Sequence, residues 1–256
     1  MKDLKEIIIK TEGLTKKYSD FIALKNLNLQ IFKGEIFGFL GHNGAGKTTT
    51  VNMLTTLLNP TSGMASICNF DIVKESIEVR RRIGYLPENV KFYENLTAFE
   101  NLDYLAKLSG LTKTENKIKE VLSFLDFTGF ENKKIGQFSK GMKQKIGIAQ
   151  AIIHEPEVLF LDEPTSGLDP FGIKNLREII IKINKEKGIT IFMNTHLLSE
   201  VSKTCTTIGV LNHGNLVYKD SLENTLKKFK DDVSLEDIYL SIDNNIKNQL
   251  DNRSIA

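Results

Sequence analysis

The sequence predicts an α/β fold: a mostly parallel sheet, antiparallel β structure at its N-terminal side, and a helical subdomain inserted between two halves of the core. Three observations carry this. Residues 6–40 are β-rich and end in the apolar run Ile36-Phe37-Gly38-Phe39-Leu40. A block with helical period follows Pro87. Continuous apolar runs, Val158-Leu159-Phe160-Leu161 and Thr190-Ile191-Phe192-Met193-Asn194-Thr195, then return with helical period between them, as strands buried on both faces do.

In chain order, Ile7, Ile9 and Thr11 alternate, as do Leu27, Leu29 and Ile31, which reads as two half-buried strands. Tyr18 lies between them. The run Gly41-His42-Asn43-Gly44-Ala45-Gly46-Lys47-Thr48-Thr49 follows the third strand and precedes the helix-like Thr50-Val51-Asn52-Met53-Leu54. Strand, glycine loop and helix together make G-x-x-x-x-G-K-[ST] a phosphate site, and the α/β core a P-loop NTPase core. Glycines let backbone N–H groups close on an anion, and the helix N-terminus adds to the field. Lys47 reaches for β- and γ-phosphates; Thr48 offers its hydroxyl to Mg²⁺. The loop Asn59-Pro60-Thr61-Ser62-Gly63 is a turn.

In the helical block, Thr97-Ala98-Phe99-Glu100 fits a capping box ahead of the stripe Leu102, Leu105, Ala106, with Gly110 as the stop. Thr112-Lys113-Thr114-Glu115 fits a second, ahead of Ile118, Val121, Leu122 and Leu125. A third helix starts near Ser139 and carries Met142, Ile146, Ala149 and Ile153; all these stripes read as core packing. Residues 173–187 have helical period, and Ile208–Leu211 and Leu216–Tyr218 flank His213-Gly214-Asn215 as a hairpin. From Ser221 short helices follow, one capped at Ser234-Leu235-Glu236-Asp237, with a frayed polar end from Asn244.

The chemistry extends past the loop. Asp162 and Glu163 end the apolar strand Val158–Leu161: Asp162 is placed to hold Mg²⁺ and Glu163 to polarise a water aimed at the γ-phosphate. His196 follows the next strand, at the sheet edge where open α/β folds bind ligands. Ser139 is a natural N-cap, and Gly141 permits close approach, so Phe138-Ser139-Lys140-Gly141-Met142-Lys143-Gln144 opens a second helix N-terminus that can take an anion. On physical grounds alone an ordinary capped helix is the better explanation, since a chain with one phosphate loop needs no second.

Composition narrows the class. Of 256 residues 41% are hydrophobic and 26% charged, ordinary for a soluble globular protein. Net charge is +2, from 34 basic and 32 acidic residues, which gives no support for a nucleic-acid partner. No apolar run nears the roughly 18 residues of a membrane span, and the N-terminus lacks a signal-peptide core. Cys68 and Cys205 have no metal spacing and read as reduced thiols in a cytosolic protein.

The order of motifs resembles the nucleotide-binding subunit of ATP-binding-cassette (ABC) transporters over almost the whole chain, from about residue 6 to about 240. The carriers are Gly41–Thr49, Ile83-Gly84-Tyr85-Leu86-Pro87-Glu88, Phe138–Gln144, Leu161-Asp162-Glu163-Pro164-Thr165-Ser166-Gly167-Leu168-Asp169-Pro170, and Asn194-Thr195-His196. The resemblance implies one ABC ATPase domain over 1–256, with core at 6–87 and 156–220. The helical subdomain and its signature motif would be 88–155, and a short C-terminal helical tail 221–256. It implies two copies packed head to tail, ATP on one phosphate loop being capped by Ser139 and Gly141 of the other, with Asp169 at the dimer interface. That accounts for the second anion site. It makes Tyr18 the aromatic that stacks on adenine, His196 the switch histidine and Lys47 part of the catalytic set, with ATP and Mg²⁺ bound and Thr48, Glu88 and Asp162 at the metal. An aromatic face suits a base.

Two departures stand out. Glu88 occupies the position of the family's usual glutamine, and the signature reads Ser-Lys-Gly-Met rather than Ser-Gly-Gly-Gln. Both look like the branch driving export-type permeases for drugs, lipids or surface polymers. The resulting expectation is an ATPase on the cytoplasmic face of the cell membrane that powers a separate integral permease. Phe92, Tyr93 and Phe99 near Glu88 are either the permease-docking face or core. The alternative is a soluble cassette remodelling an assembly, as in iron–sulfur biogenesis. A guanine-specific GTPase is less well supported, because Asn184-Lys185-Glu186-Lys187 lacks the aspartate that reads guanine.

Overall fold

In the computed structural model of the chain, residues 6–228 are described. The caps and ends read at Ser234–Asp237 and from Asn244 lie outside them. Strands β1 (Ile7–Tyr18) and β2 (Phe21–Phe32) form a long hairpin. Then come β3 (Ile36–Leu40), α1 (Lys47–Leu54), β4 (Ser62–Ile67), β5 (Phe70–Asp71), α2 (Ser76–Arg82) and β6 (Ile83–Leu86). Helices α3 (Ala98–Leu108), α4 (Thr114–Phe124) and α5 (Lys140–Ile152) follow without an intervening strand. The chain continues with β7 (Val158–Asp162), α6 (Pro170–Lys187), β8 (Thr190–Asn194), α7 (Leu198–Thr204), β9 (Thr207–Asn212), β10 (Asn215–Ser221) and α8 (Leu222–Lys228).

Two sheets result. A four-stranded antiparallel sheet has the order β2-β1-β4-β5, and a six-stranded sheet the order β10-β9-β3-β8-β7-β6. In the larger sheet only the β10–β9 pair is antiparallel. Every residue of β3, β7, β8 and β9 is buried, as continuous apolar strands covered on both faces must be. Between the sheets Phe37, Phe39 and Phe160 crowd around Phe192, each centroid 5.3 or 5.4 Å from it. On the other side, Leu102, Ile118, Leu122 and Ile146 of the three helices join Leu159 and Ile191 of the sheet in a second core.

Several elements differ in detail from the sequence reading. The capping box at Thr97 forms: its side chain accepts the Glu100 N–H and Glu100 returns a bond to the Thr97 N–H. The second box does not. Helix α4 starts after Lys113, which offers no side-chain cap, and Thr114 instead donates its hydroxyl to Asp103 on α3. Helix α6 starts three residues before 173, because Asp169 accepts the Gly172 N–H and Pro170 opens the first turn. In the β9–β10 hairpin His213 and Gly214 both have positive φ, 43° and 76°, which matches the twist of the strands they join. Phe92 and Phe99 pack half-buried against the core, while Tyr93 is exposed and meets Tyr104 edge to face at 5.6 Å.

Candidate nucleotide site

The phosphate loop leaves β3 between two close approaches. A Cβ on Gly41 would lie 2.5 Å from the Leu211 carbonyl oxygen, and one on Gly46 would lie 2.3 Å from that of Ala23. Gly44 and Gly46 also hold φ of 84° and 105°, which only glycine adopts cheaply. Gly46 is the N-cap of α1, so the first turn starts at Lys47 and its amides point into the loop. Lys47 is only 6% exposed and folds back, its ammonium donating to Gly41 O at 2.7 Å and His42 O at 3.2 Å. Burial lowers its pKa, and the charges of Glu163 and Asp162 oppose that.

Strand β7 brings the carboxylates alongside. Asp162 is 4% exposed and accepts a hydrogen bond from the Asn194 side-chain amide of the neighbouring β8. Burial pushes its carboxyl up to about 6; Glu163 and Glu88 add to this, while the Asn194 bond and Lys47 work against it. Asn194 Oδ1 is buried and has no hydrogen-bond partner among the described residues. Glu163 sits at φ 47°, a conformation strained for a non-glycine residue by about 1 kcal/mol or more. Its N–H donates to Asn194 O at 2.9 Å, and its Oε2 lies 2.9 Å from His196 Nδ1.

Lys47, Glu163 and His196 line a cavity of about 440 Å³. On its wall are Tyr18 at the hairpin tip, Asn43, Gly44, Gly46, Lys47, Thr48 and Thr49 of the loop, and Glu88, Glu163 and His196 at the strand ends. Other sequence-derived candidates fall elsewhere. Gly41 and Ala45 are buried behind the loop. The His42 ring turns away, 3.3 Å from Asn212 Oδ1 and 4.9 Å from the His213 ring, leaving its backbone to the loop. Asp162 stands behind the wall. Ser139, Gly141 and Asp169 line a separate cavity of about 520 Å³ at the heads of α5 and α6. There Ser139 Oγ accepts the Met142 N–H at 3.3 Å.

Two wall residues, Phe21 and Ala23, and the part of the Asn194 amide beside Asp162 were missed by sequence reasoning. Pairing Phe21 with Tyr18 across a two-residue turn would have found the first. The donors Thr48, Glu88 and Asp162 are hard oxygens that suit Mg²⁺. Among the described residues no group of three or more His, Cys, Asp or Glu forms a metal cage, so phosphate oxygens would have to complete its shell.

The family model described as ABC transporter matches residues 24–166, more than half the chain. The protein belongs to this family. As an ABC ATP-binding subunit it is an ATPase coupled to transport. The cassette is 46% identical over 221 residues to the bacitracin transport ATP-binding protein BcrA of Bacillus licheniformis, covering 86% of this chain and 72% of that one. It superimposes on the solved structure of an ATP-binding subunit of an ABC transporter with a TM-score of 0.81 and 30% identity, over 92% of this chain and 99% of that one. A dimeric post-hydrolysis cassette bound to ADP and phosphate gives 0.75 and 29%, over 84% and 99%. No helix among its described residues is long and apolar enough to cross a membrane.

Proposed function

We propose that this cassette binds MgATP between two copies of itself and hydrolyses it to drive a separate export-type membrane permease from the cytoplasmic face. The separation of its two anion-binding regions carries this reading. The loop, Glu163 and His196 share one cavity, while Ser139, Gly141 and Asp169 line another. A second copy, packed head to tail, brings its Ser139 and Gly141 to the exposed side of the bound nucleotide, with Asp169 beside the seam.

In the proposed cycle, Lys47 leaves the loop carbonyls for β- and γ-phosphate oxygens, and the α1 amides take the rest of the charge. Thr48, Asp162 and Glu88 would hold Mg²⁺, which would supply positive charge against the phosphates. Glu163 orients the attacking water and accepts its proton, and His196 holds the Glu163 carboxylate and reaches the γ-phosphate. ATP touching both copies favours the closed dimer, and losing the γ-phosphate removes that bridge. The permease docks in the groove of about 790 Å³ where α2, α3 and α5 meet; Leu57, Ile77 and Leu108 are exposed there. Export is favoured by the Ser-Lys-Gly-Met signature and the likeness to a bacitracin transport protein.

Glu163→Gln tests the cycle. It should retain ATP, lose hydrolysis by a hundredfold or more (about 3 kcal/mol of barrier) and run as a dimer on gel filtration with MgATP. A monomer under saturating MgATP refutes the shared-nucleotide arrangement.

A further inference from the structure

The tip of the β1–β2 hairpin carries two aromatic rings open to solvent. Tyr18 ends β1, Phe21 begins β2, and the two are direct partners in register across the turn Ser19-Asp20. Directly opposed residues project from the same face of a sheet. Phe21 is 63% exposed and Tyr18 45%. A phenylalanine so open forfeits burial that would otherwise stabilise the chain. Its ring lies on the wall of the phosphate-loop cavity.

The hairpin root is fixed to that loop. Ala23, two residues beyond Phe21 on β2, also lines the cavity, and its carbonyl oxygen leaves no room for a Cβ on Gly46. Lys25 N–H donates to Gly214 O at 2.8 Å, and Gly214 N–H to Ala45 O at 2.9 Å. Phe21 is therefore held at a set reach from the loop. One ring of the pair already has company, the Lys16 ammonium lying 5.1 Å from the Tyr18 centroid.

The hairpin end of the cavity is poor in polar groups. Tyr18, Phe21 and Ala23 offer one polar side-chain atom between them, the Tyr18 hydroxyl; the ionisable and amide groups sit on the loop and the strand ends. A base placed here meets ring faces rather than donors and acceptors matched to its edge. Stacking tolerates any base with a π-face, and a site without edge-reading groups rejects a differently substituted isostere only weakly.

We infer that Phe21 is a second base-binding residue, forming with Tyr18 an aromatic platform that selects purine nucleoside triphosphates by ring area and accepts GTP alongside ATP. This rests on the nucleotide reading of the cavity. The experiment uses the full chain and displaces a fluorescent ATP analogue with MgATP, MgGTP, MgCTP or inorganic tripolyphosphate. In the wild type GTP should bind within about threefold of ATP and CTP about tenfold more weakly, as loss of stacking area implies. Phe21→Ala should weaken both purine nucleotides about tenfold and leave tripolyphosphate unchanged; Phe21→Trp should restore them. Because the ring is exposed, neither variant disturbs the core. The inference is overturned if Phe21→Ala leaves ATP binding intact, if it weakens ATP and tripolyphosphate alike, or if wild-type GTP binds more than about thirtyfold worse than ATP. A wild type that binds neither ATP nor tripolyphosphate overturns the nucleotide reading itself, and this one with it.

Discussion

In the phosphate-loop cavity the polar groups are held by strained backbone and by one another; at the heads of α5 and α6 they are held by ordinary helix caps. Glu163 sits in left-handed backbone, Asp162 and Lys47 are buried charges, and Asn194 keeps an unpartnered oxygen. In the other cavity Ser139 and Asp169 each accept the amide N–H of a residue three further along the chain. The first region gives up stability to hold charged and strained groups together. The second is satisfied by its own chain and has amides left to offer a neighbour. Experiments on the two regions should therefore separate: those on the first should alter nucleotide binding, those on the second pairing, beyond the ordinary cost of a lost helix cap.

Lys47→Ala should have the largest effect. Its ammonium is the one cation among the described residues lining the nucleotide cavity, so isothermal titration should show ATP affinity falling by about a hundredfold or more. Affinity within a few-fold of wild type would mean the loop is not the phosphate site. Asp162→Asn comes next and acts on stability. Burial holds this carboxyl at about 6, so the folded chain keeps the proton to higher pH than the unfolded chain does. Its contribution is thus fully present below about pH 4 and is lost as pH rises through 6. Urea unfolding should show the variant more stable by about 2–3 kcal/mol at pH 8 and by little near pH 4. An equal gain at both values would place the cost elsewhere than in ionisation. Ser139→Ala is the smallest and most selective. Single-chain ATP affinity should stay within about twofold, while ATP-driven dimerisation, followed by sedimentation, weakens about tenfold. Matching losses in both would erase the division between the two regions.

Much of this was legible in the sequence, for physical reasons. Strands β3, β7 and β8 announce themselves because burial on both faces demands unbroken apolar runs. The phosphate loop does so because its backbone geometry admits little but glycine at Gly44 and Gly46. The stretch from Ser62 to Leu86 was opaque. In β4 the first three residues are exposed and no alternation shows, β5 has two residues, and α2 is too short for a stripe. The Thr112 cap failed because tertiary contact won: Thr114 is drawn to Asp103 on the neighbouring helix. The site's acids and histidine could be named from strand ends, but not Asn194's part in holding them, since an amide ending a strand carries no local signature. Phe92 and Phe99 show the limit of reading exposure from aromatic spacing; both pack half-buried against the core.

Asn194 has a mechanical consequence. Its carbonyl fixes the backbone of Glu163, its amide fixes the side chain of Asp162, and His196 follows two residues later. The seam between β7 and β8 is thus a single hinge pin for three reactive groups. A push that slid one strand along the other would disarm all of them together, so a distant load on the sheet could switch the engine off without touching the fuel.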